Sequence, residues 1–347
     1  MKHFQFPLTR GRLGAAAVAV LLAIAGAMPA VAATPRDTLV VAWAIDDIIT
    51  MDPAESFEIS AGEIMGNIYD RLVRFDVSDP SKLYGDVAKS WTVSPDGKTF
   101  SFELKPGLKF ASGNVLNAED VVYSLQRAVL LDKTPAFILT QFGFTKDNVK
   151  DRIKQTGPLT LTIETDKSYA PSFVLNCLTA NVAAIVDKKL VMSKEQNGDF
   201  GYGWLKTNYA GSGPLKLREW RANEIVALER NDSYYGEKSK LARVIYRHVK
   251  EAATQRLLLE KGDTDIARNL TPDQVAGLAG NADVTVTSIP EALLYYIGLN
   301  LKQKELQDVR VRQALRYLVD YEGMVNSFLK GSHQVHQSFW ASGFWAA

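Results

Sequence analysis

Beyond residue 33 the apolar positions follow two rhythms. One has the length and period of strands. Thr38–Trp43 reads Thr-Leu-Val-Val-Ala-Trp, a continuous apolar run that predicts a buried strand. A stretch ending at Trp91 and Val93 meets the turn Pro95-Asp96-Gly97, after which Phe100, Phe102 and Leu104 alternate inward. A second turn is expected at Ser112-Gly113-Asn114. Leu159, Leu161 and Ile163 alternate with Thr160, Thr162 and Glu164, which predicts a half-buried strand. Residues 214–220 and 224–230, joined by Arg221-Ala222-Asn223, predict two more, and 244–249 another. Ile297 and Leu299 are expected in a last strand.

The other rhythm is helical. Over 59–72, Ile64, Ile68 and Leu72 share one face. A helix opens at Ala118, with Asn117 as its cap and Asp120 set against the positive N-terminal end. Val121, Val122, Leu125 and Val129 give it an apolar stripe. Pro171 sits at a permitted first-turn position of another helix. Residues 251–261 predict a helix closed by Gly262, and 308–320 predict one more. Strands and helices mix throughout, so the fold class is α/β. No repeat or low-complexity tract follows the N-terminal segment. Residues 193–213 read as a long loop, and the Gly/Asn-rich part, 197–213, is the best domain boundary by composition.

The N-terminal segment stands apart. Lys2, Arg10 and Arg12 precede an Ala-rich apolar run over 13–27, and Ala30-Val31-Ala32 suits cleavage by a signal peptidase. Residues 1–32 are therefore expected to be a signal peptide. The alternative is an N-terminal anchor, but the run is shorter than the roughly 20 residues a spanning helix needs. Cleavage leaves 37 basic and 39 acidic side chains, net −2. Neither this balance nor any basic, aromatic-interleaved stripe suggests nucleic acid. Cys177 is the one cysteine, far from the cleavage site, so neither a lipoprotein anchor nor an intrachain disulfide is expected. The expectation is a soluble periplasmic protein of a Gram-negative bacterium, with Cys177 as a small core residue.

Four blocks resemble the family 5 extracellular solute-binding proteins, the peptide- and nickel-binding receptors of ABC importers. They are DVAKSWTVSPDGKTFSFELKPGLKFASGNVLNAEDVVYSLQR at 86–127, GSGPLKLREWRANEIVALERNDSYYG at 211–236, RLLLEKGDTD at 256–265, and Asn300 followed by DVRVRQAL at 308–315. Tyr235 stands where the family usually has Trp. The resemblance implies a two-lobed periplasmic-binding-protein fold, type II and cluster C-like. Domain I would hold 34–75 and 209–290, domain II would be the insertion 76–208, and 291–347 would begin domain III in the second lobe. Family members run well past 347 residues, so the chain is expected to be C-terminally truncated relative to them, with an incomplete second lobe. The aspartate that pairs with the α-amino group in peptide-binding members would lie beyond position 347. The aromatics Phe339, Trp340, Phe344 and Trp345 would then lack their packing partners.

The same resemblance implies ligand contacts. The loop after the first strand, Trp43, Ala44, Ile45, Asp46 and Asp47, is the family's usual contact; the alternative is a core Trp43 with solvated aspartates. Phe57 and Phe137 match regions that place an aromatic against the ligand, or else they are core. Gly211, Ser212 and Gly213 offer backbone N–H groups to a carboxylate, or else form a structural turn. Arg310 and Arg312 are read as ion-pair partners, and one of Tyr295 and Tyr296 as facing the cleft.

No metal site and no cofactor is expected. His333 and His336 stand three apart without a third ligand, and His248 reads as structural. An exported peptide hydrolase is the contrasting class, but no G-x-S-x-G elbow and no H-E-x-x-H occurs. The expected role is capture of di- or oligopeptides by a monomer that delivers them to permease subunits in the inner membrane. Nickel chelates, opines, glutathione, haem and short sugars are alternative ligands on the same scaffold.

Overall fold

A computed structural model describes residues 34–79, 82–288 and 293–339. The signal-peptide expectation, and those for Trp340, Phe344 and Trp345, lie outside the described residues.

Two sheets organise the chain from Arg36 onward. The first has β1 (Thr38–Trp43) between β10 (Arg243–His248) and β11 (Ile266–Ala267), parallel to both. Beyond β10 it continues antiparallel through β9 (Ile225–Arg230) to β8 (Leu215–Arg221). The left-handed Asn223 makes the tight turn between the last two. The central β1 is buried on both faces from Val40 to Trp43, which is why its apolar run is continuous and not alternating. Helix α1 (Ile59–Ile68) places Ile64, Met65 and Ile68 in the same core as Val41, Leu215, Val226 and Leu228.

The second sheet is antiparallel, in the order β4 (Ala88–Val93), β5 (Thr99–Leu104), β7 (Thr160–Glu164), β6 (Ile153–Gly157). A small ribbon of β2 (Val73–Phe75) and β3 (Leu83–Gly85) precedes it. Phe100, Phe102 and Leu104 are buried, as their alternation predicts, and share a core with Leu161, Ile163 and the Val121, Leu125, Val129 stripe of α2 (Ala118–Leu131). Each such side chain contributes roughly 1.5–3 kcal/mol on burial. Asn117 and Asp120 close a reciprocal capping box at the start of α2.

The chain passes between the sheets at adjacent points. The Ile185 N–H donates to the Asp70 carbonyl at 2.9 Å, and Val87 N–H donates to the Arg71 carbonyl at 2.9 Å. This crossing explains one departure from the helical pattern. Helix α1 ends at Ile68, and Tyr69 is extended (φ −123°, ψ 144°), so Leu72 is buried in the core of the second sheet instead of continuing the helix.

Other departures are local. The stretch 193–213 contains a helix, Tyr202–Leu205, that its Gly and Asn content disguises. Ile297 and Leu299 are not in a strand: no neighbouring backbone among the described residues pairs with them, and Ile297 is 76% exposed. The segment 293–339 carries α4 (Val309–Leu318), which buries none of its side chains, while α3 (Ala252–Glu260) ends at the left-handed Gly262 as its sequence predicts. Cys177 is half-buried against the second core, and burial raises its thiol pKa.

Candidate functional site

The parallel register of the first sheet brings three strand ends together. Trp43 pairs with His248 and Ala42 with Ala267. The segments that follow, 44–47, 249–250 and 268–269, therefore meet at the carboxyl ends of parallel strands, where open α/β sheets commonly receive ligands. Ala44 N–H donates to Asn269 Oδ1 at 2.8 Å, and Ile45 N–H donates to His248 Nδ1 at 3.1 Å. His248, expected to be structural, thus fixes the loop through an unprotonated Nδ1. Trp43 is only 6% exposed, with the Arg268 guanidinium 4.5 Å from its ring centroid. Arg268 is paired to Glu63 at 2.6 Å, and the Tyr246 hydroxyl reaches the same carboxylate at 3.3 Å. Ile45 is core. Asp46 and Asp47 are exposed: Asp46 lies 3.8 Å from Lys250 Nζ, and Asp47 accepts from the Ser60 hydroxyl. The loop thus offers two carboxylates and a half-buried Ala44, with its two apolar side chains turned inward.

Phe57 and Phe137 come together. Their rings meet edge to face at 5.8 Å and 87°, and they are 53% and 54% exposed. Two further contacts join the segments that carry them. Arg127 grips Asp52 through its two terminal guanidinium nitrogens at 2.8 and 2.5 Å, fully buried, and its Nε donates to the Phe200 carbonyl at 2.8 Å. Between these two contacts, the Tyr202 hydroxyl lies 2.8 Å from each oxygen of Glu55, and Lys133 Nζ lies 4.3 Å from the Tyr202 ring centroid. Residues 52–57 and 127–137 are therefore laced by three rungs, grading from a buried ion pair to an exposed aromatic pair.

Gly211, Ser212 and Gly213 are buried, and their partners are scaffold. A Cβ on Gly211 would come within 2.3 Å of the Ile68 carbonyl oxygen, and one on Gly213 within 2.6 Å of the Ile68 carbonyl carbon. Only glycine permits this approach. Gly213 N–H donates to the Ile68 carbonyl at 3.0 Å, and Asn231 Nδ2 donates to the Gly213 carbonyl at 2.9 Å. Ser212 lies beside Asp70, whose carboxyl is held well above the usual range by burial and by the nearby Asp86, against the opposing Ser212 and Tyr235 hydroxyls. A surface depression of about 240 Å³ reaches Gly211, lined also by Phe110, Leu190, Tyr209 and Glu229.

Tyr295 and Tyr296 are both strongly exposed, and Tyr295 packs on the His333 ring. Arg310 pairs with Asp308 at 2.6 Å, and Arg312 donates to the Leu306 and Gln307 carbonyls. Among the described residues, no group of three or more His, Cys, Asp or Glu side chains is placed to hold a metal ion, and no helix is long and apolar enough to cross a membrane. Sequence reasoning missed Asp52, Glu55, Arg127, Lys133 and Tyr202. Their separations in sequence match no local motif, and only the tertiary fold unites them.

Comparison with known proteins agrees with this architecture. The model of the bacterial extracellular solute-binding proteins, family 5 Middle, matches residues 82–347. The "Probable D,D-dipeptide-binding periplasmic protein DdpA" of Escherichia coli K12 is 32% identical over 317 residues, which is 90% of this chain and 59% of that protein. The periplasmic binding protein DppA of Helicobacter pylori, solved with the peptide STSA, superposes with a TM-score of 0.75 at 23% identity, over 89% of this chain and 62% of that one. NikZ of Campylobacter jejuni, solved with Ni(L-His), gives 0.70 at 25% identity, over 85% and 56%. The chain thus spans about three-fifths of the length of these proteins, and its mixed α/β architecture is that of the periplasmic binding proteins. By the match over 82–347 and the 32% identity to DdpA, the chain belongs to the bacterial extracellular solute-binding proteins of family 5.

Proposed function

We propose that this chain is the periplasmic receptor of an ABC importer, that it captures di- or oligopeptides, and that it hands them to permease subunits in the inner membrane. The observation that carries the reading is the 32% identity, along 90% of the chain, to a protein described as a "Probable D,D-dipeptide-binding periplasmic protein". Two features of the site support it. The edge-to-face pair Phe57–Phe137 offers an apolar wall that water covers poorly, held on a buried ion pair. Asp46 and Asp47 stand exposed at the strand ends, where a ligand ammonium would be welcome. In this reading 34–75 with 209–290 forms one domain, 76–208 a second, and 291–347 the start of the opposing lobe; the two separate sheets and cores support the first division. Residues 1–32 export the chain. Gly211, Ser212 and Gly213 act in this scheme by holding the crossing beneath the site.

Native mass spectrometry of the exported gene product, released gently from a periplasmic extract, tests the reading. A peptide mass that is lost on denaturation is the expected result. Absence of a peptide mass, together with no heat of binding for D-Ala-D-Ala or Ser-Thr-Ser-Ala, overturns it. A nickel-containing mass would favour the second reading, a metal-chelate receptor, for which the likeness to NikZ speaks. Asp46→Ala and Phe57→Ala, both at exposed positions, are expected to weaken peptide binding by about 1–3 kcal/mol while the fold survives. Unchanged affinity in both removes these groups from the site.

A further inference from the structure

The middle rung between residues 52–57 and 127–137 holds a cation without an anionic partner. Glu55 is the carboxylate of that rung, and both its oxygens face the Tyr202 hydroxyl at 2.8 Å. Lys206 Nζ lies 4.0 Å from Glu55 and 5.2 Å from the Tyr202 ring centroid. Lys133 Nζ rests over the same ring at 4.3 Å, and no carboxylate among the described residues lies within ion-pair distance of it. The two lysines and Glu55 leave the cluster net positive. Lys133 is also the cap of the helical turn Thr134–Ala136, which runs straight into Phe137–Thr140. Lys133 stands four residues before Phe137, and Glu55, which accepts from the Tyr202 hydroxyl, stands two before Phe57, so the lysine–tyrosine contact and the aromatic pair are successive contacts between the same two segments. Beneath them, the Asp52–Arg127 pair fixes both segments before any ligand arrives.

We infer that Lys133 is a specificity residue that binds the carboxylate of the ligand, while Phe57 and Phe137 pack on the apolar side chain next to it. The ligand class is a small solute with a free carboxylate adjoining an apolar group, as at the C-terminal end of a short peptide. This rests on the peptide reading above and adds to it the end of the peptide that meets this part of the chain. The cation–π contact suits the role, because the ring holds the ammonium in place without neutralising it. A charge-assisted hydrogen bond to a carboxylate is then available at no cost in side-chain rearrangement.

The test is a double-mutant cycle between protein and ligand, read by isothermal titration. D-Ala-D-Ala, Ala-Phe and Ser-Thr-Ser-Ala are each compared with their C-terminal amides, on the exported protein and on Lys133→Met and Lys133→Gln. Lys150→Met, at an exposed position on another element, is the control. The expected result is that amidation weakens binding to the wild-type and control proteins by about tenfold or more, and changes it less than twofold in both Lys133 variants. Equal losses on amidation in all four proteins overturn the assignment of Lys133 and leave the peptide reading standing. Failure of every free-acid peptide to bind the wild-type protein overturns both. Circular dichroism of the two variants, matched to wild type, ties any change to the missing ammonium.

Discussion

The buried Asp52–Arg127 pair shows what a single contact decides here. Both charges are out of water, and each depends on the other, with Arg127 also anchored to the Phe200 carbonyl. Asp52→Asn leaves the guanidinium buried without its counter-charge and is expected to cost about 3–5 kcal/mol in urea unfolding. A loss below about 1 kcal/mol would mean that water reaches Arg127. At this scale the sequence was partly legible. Phe57 and Phe137 came from resemblance to a family, and the structure brings them into contact while leaving each about half exposed. Trp43 and Ile45 came from the same resemblance, yet they point into the core, where they pack with Met65, Ile68 and Tyr246. Asp52, 75 residues from Arg127, left no trace that spacing alone could reveal.

At the scale of elements, local chemistry spoke more clearly. Helix α2 is announced by Asn117 and Asp120, and both halves of the capping box form. Asn117→Ala removes the acceptor for the Glu119 N–H and is expected to lower stability by about 1 kcal/mol; thermal unfolding would register it as a shift of a few degrees. No shift would place the stability of α2 wholly in its apolar stripe. The hairpin of β4 and β5 was legible because period-two alternation and a Pro-Asp-Gly turn agree. Helix α1 was read four residues too long for the opposite reason. Leu72 keeps the helical rhythm, but a different core buries it, and periodicity does not tell which core an apolar residue serves. The proposed strand at 297–299 failed because a strand needs a partner, which no single segment specifies.

For the whole molecule, burial is uneven. Residues 38–278 contain the two cores, whereas 293–339 has no buried side chain among those described, and Tyr295, Tyr296, Tyr317, Leu318 and Phe328 stand open to water. Segments with few buried contacts open at little cost. Brief trypsin treatment of this chain is therefore expected to cut first at Lys302, Lys304, Arg310 or Arg316 and to leave a resistant body that holds both sheets. First cuts within 88–164 would contradict the distribution of burial. The meeting of Ile185 with Asp70 has a different consequence. A tract of more than a hundred residues departs and returns one hydrogen bond apart, so to the first sheet it is topologically a hairpin loop. The entropy of closing such a loop grows only with the logarithm of its length. The second sheet is thus a cassette: lengthening or trimming it costs its host little chain entropy, so long as the Arg127–Asp52 pair that ties the two together is kept.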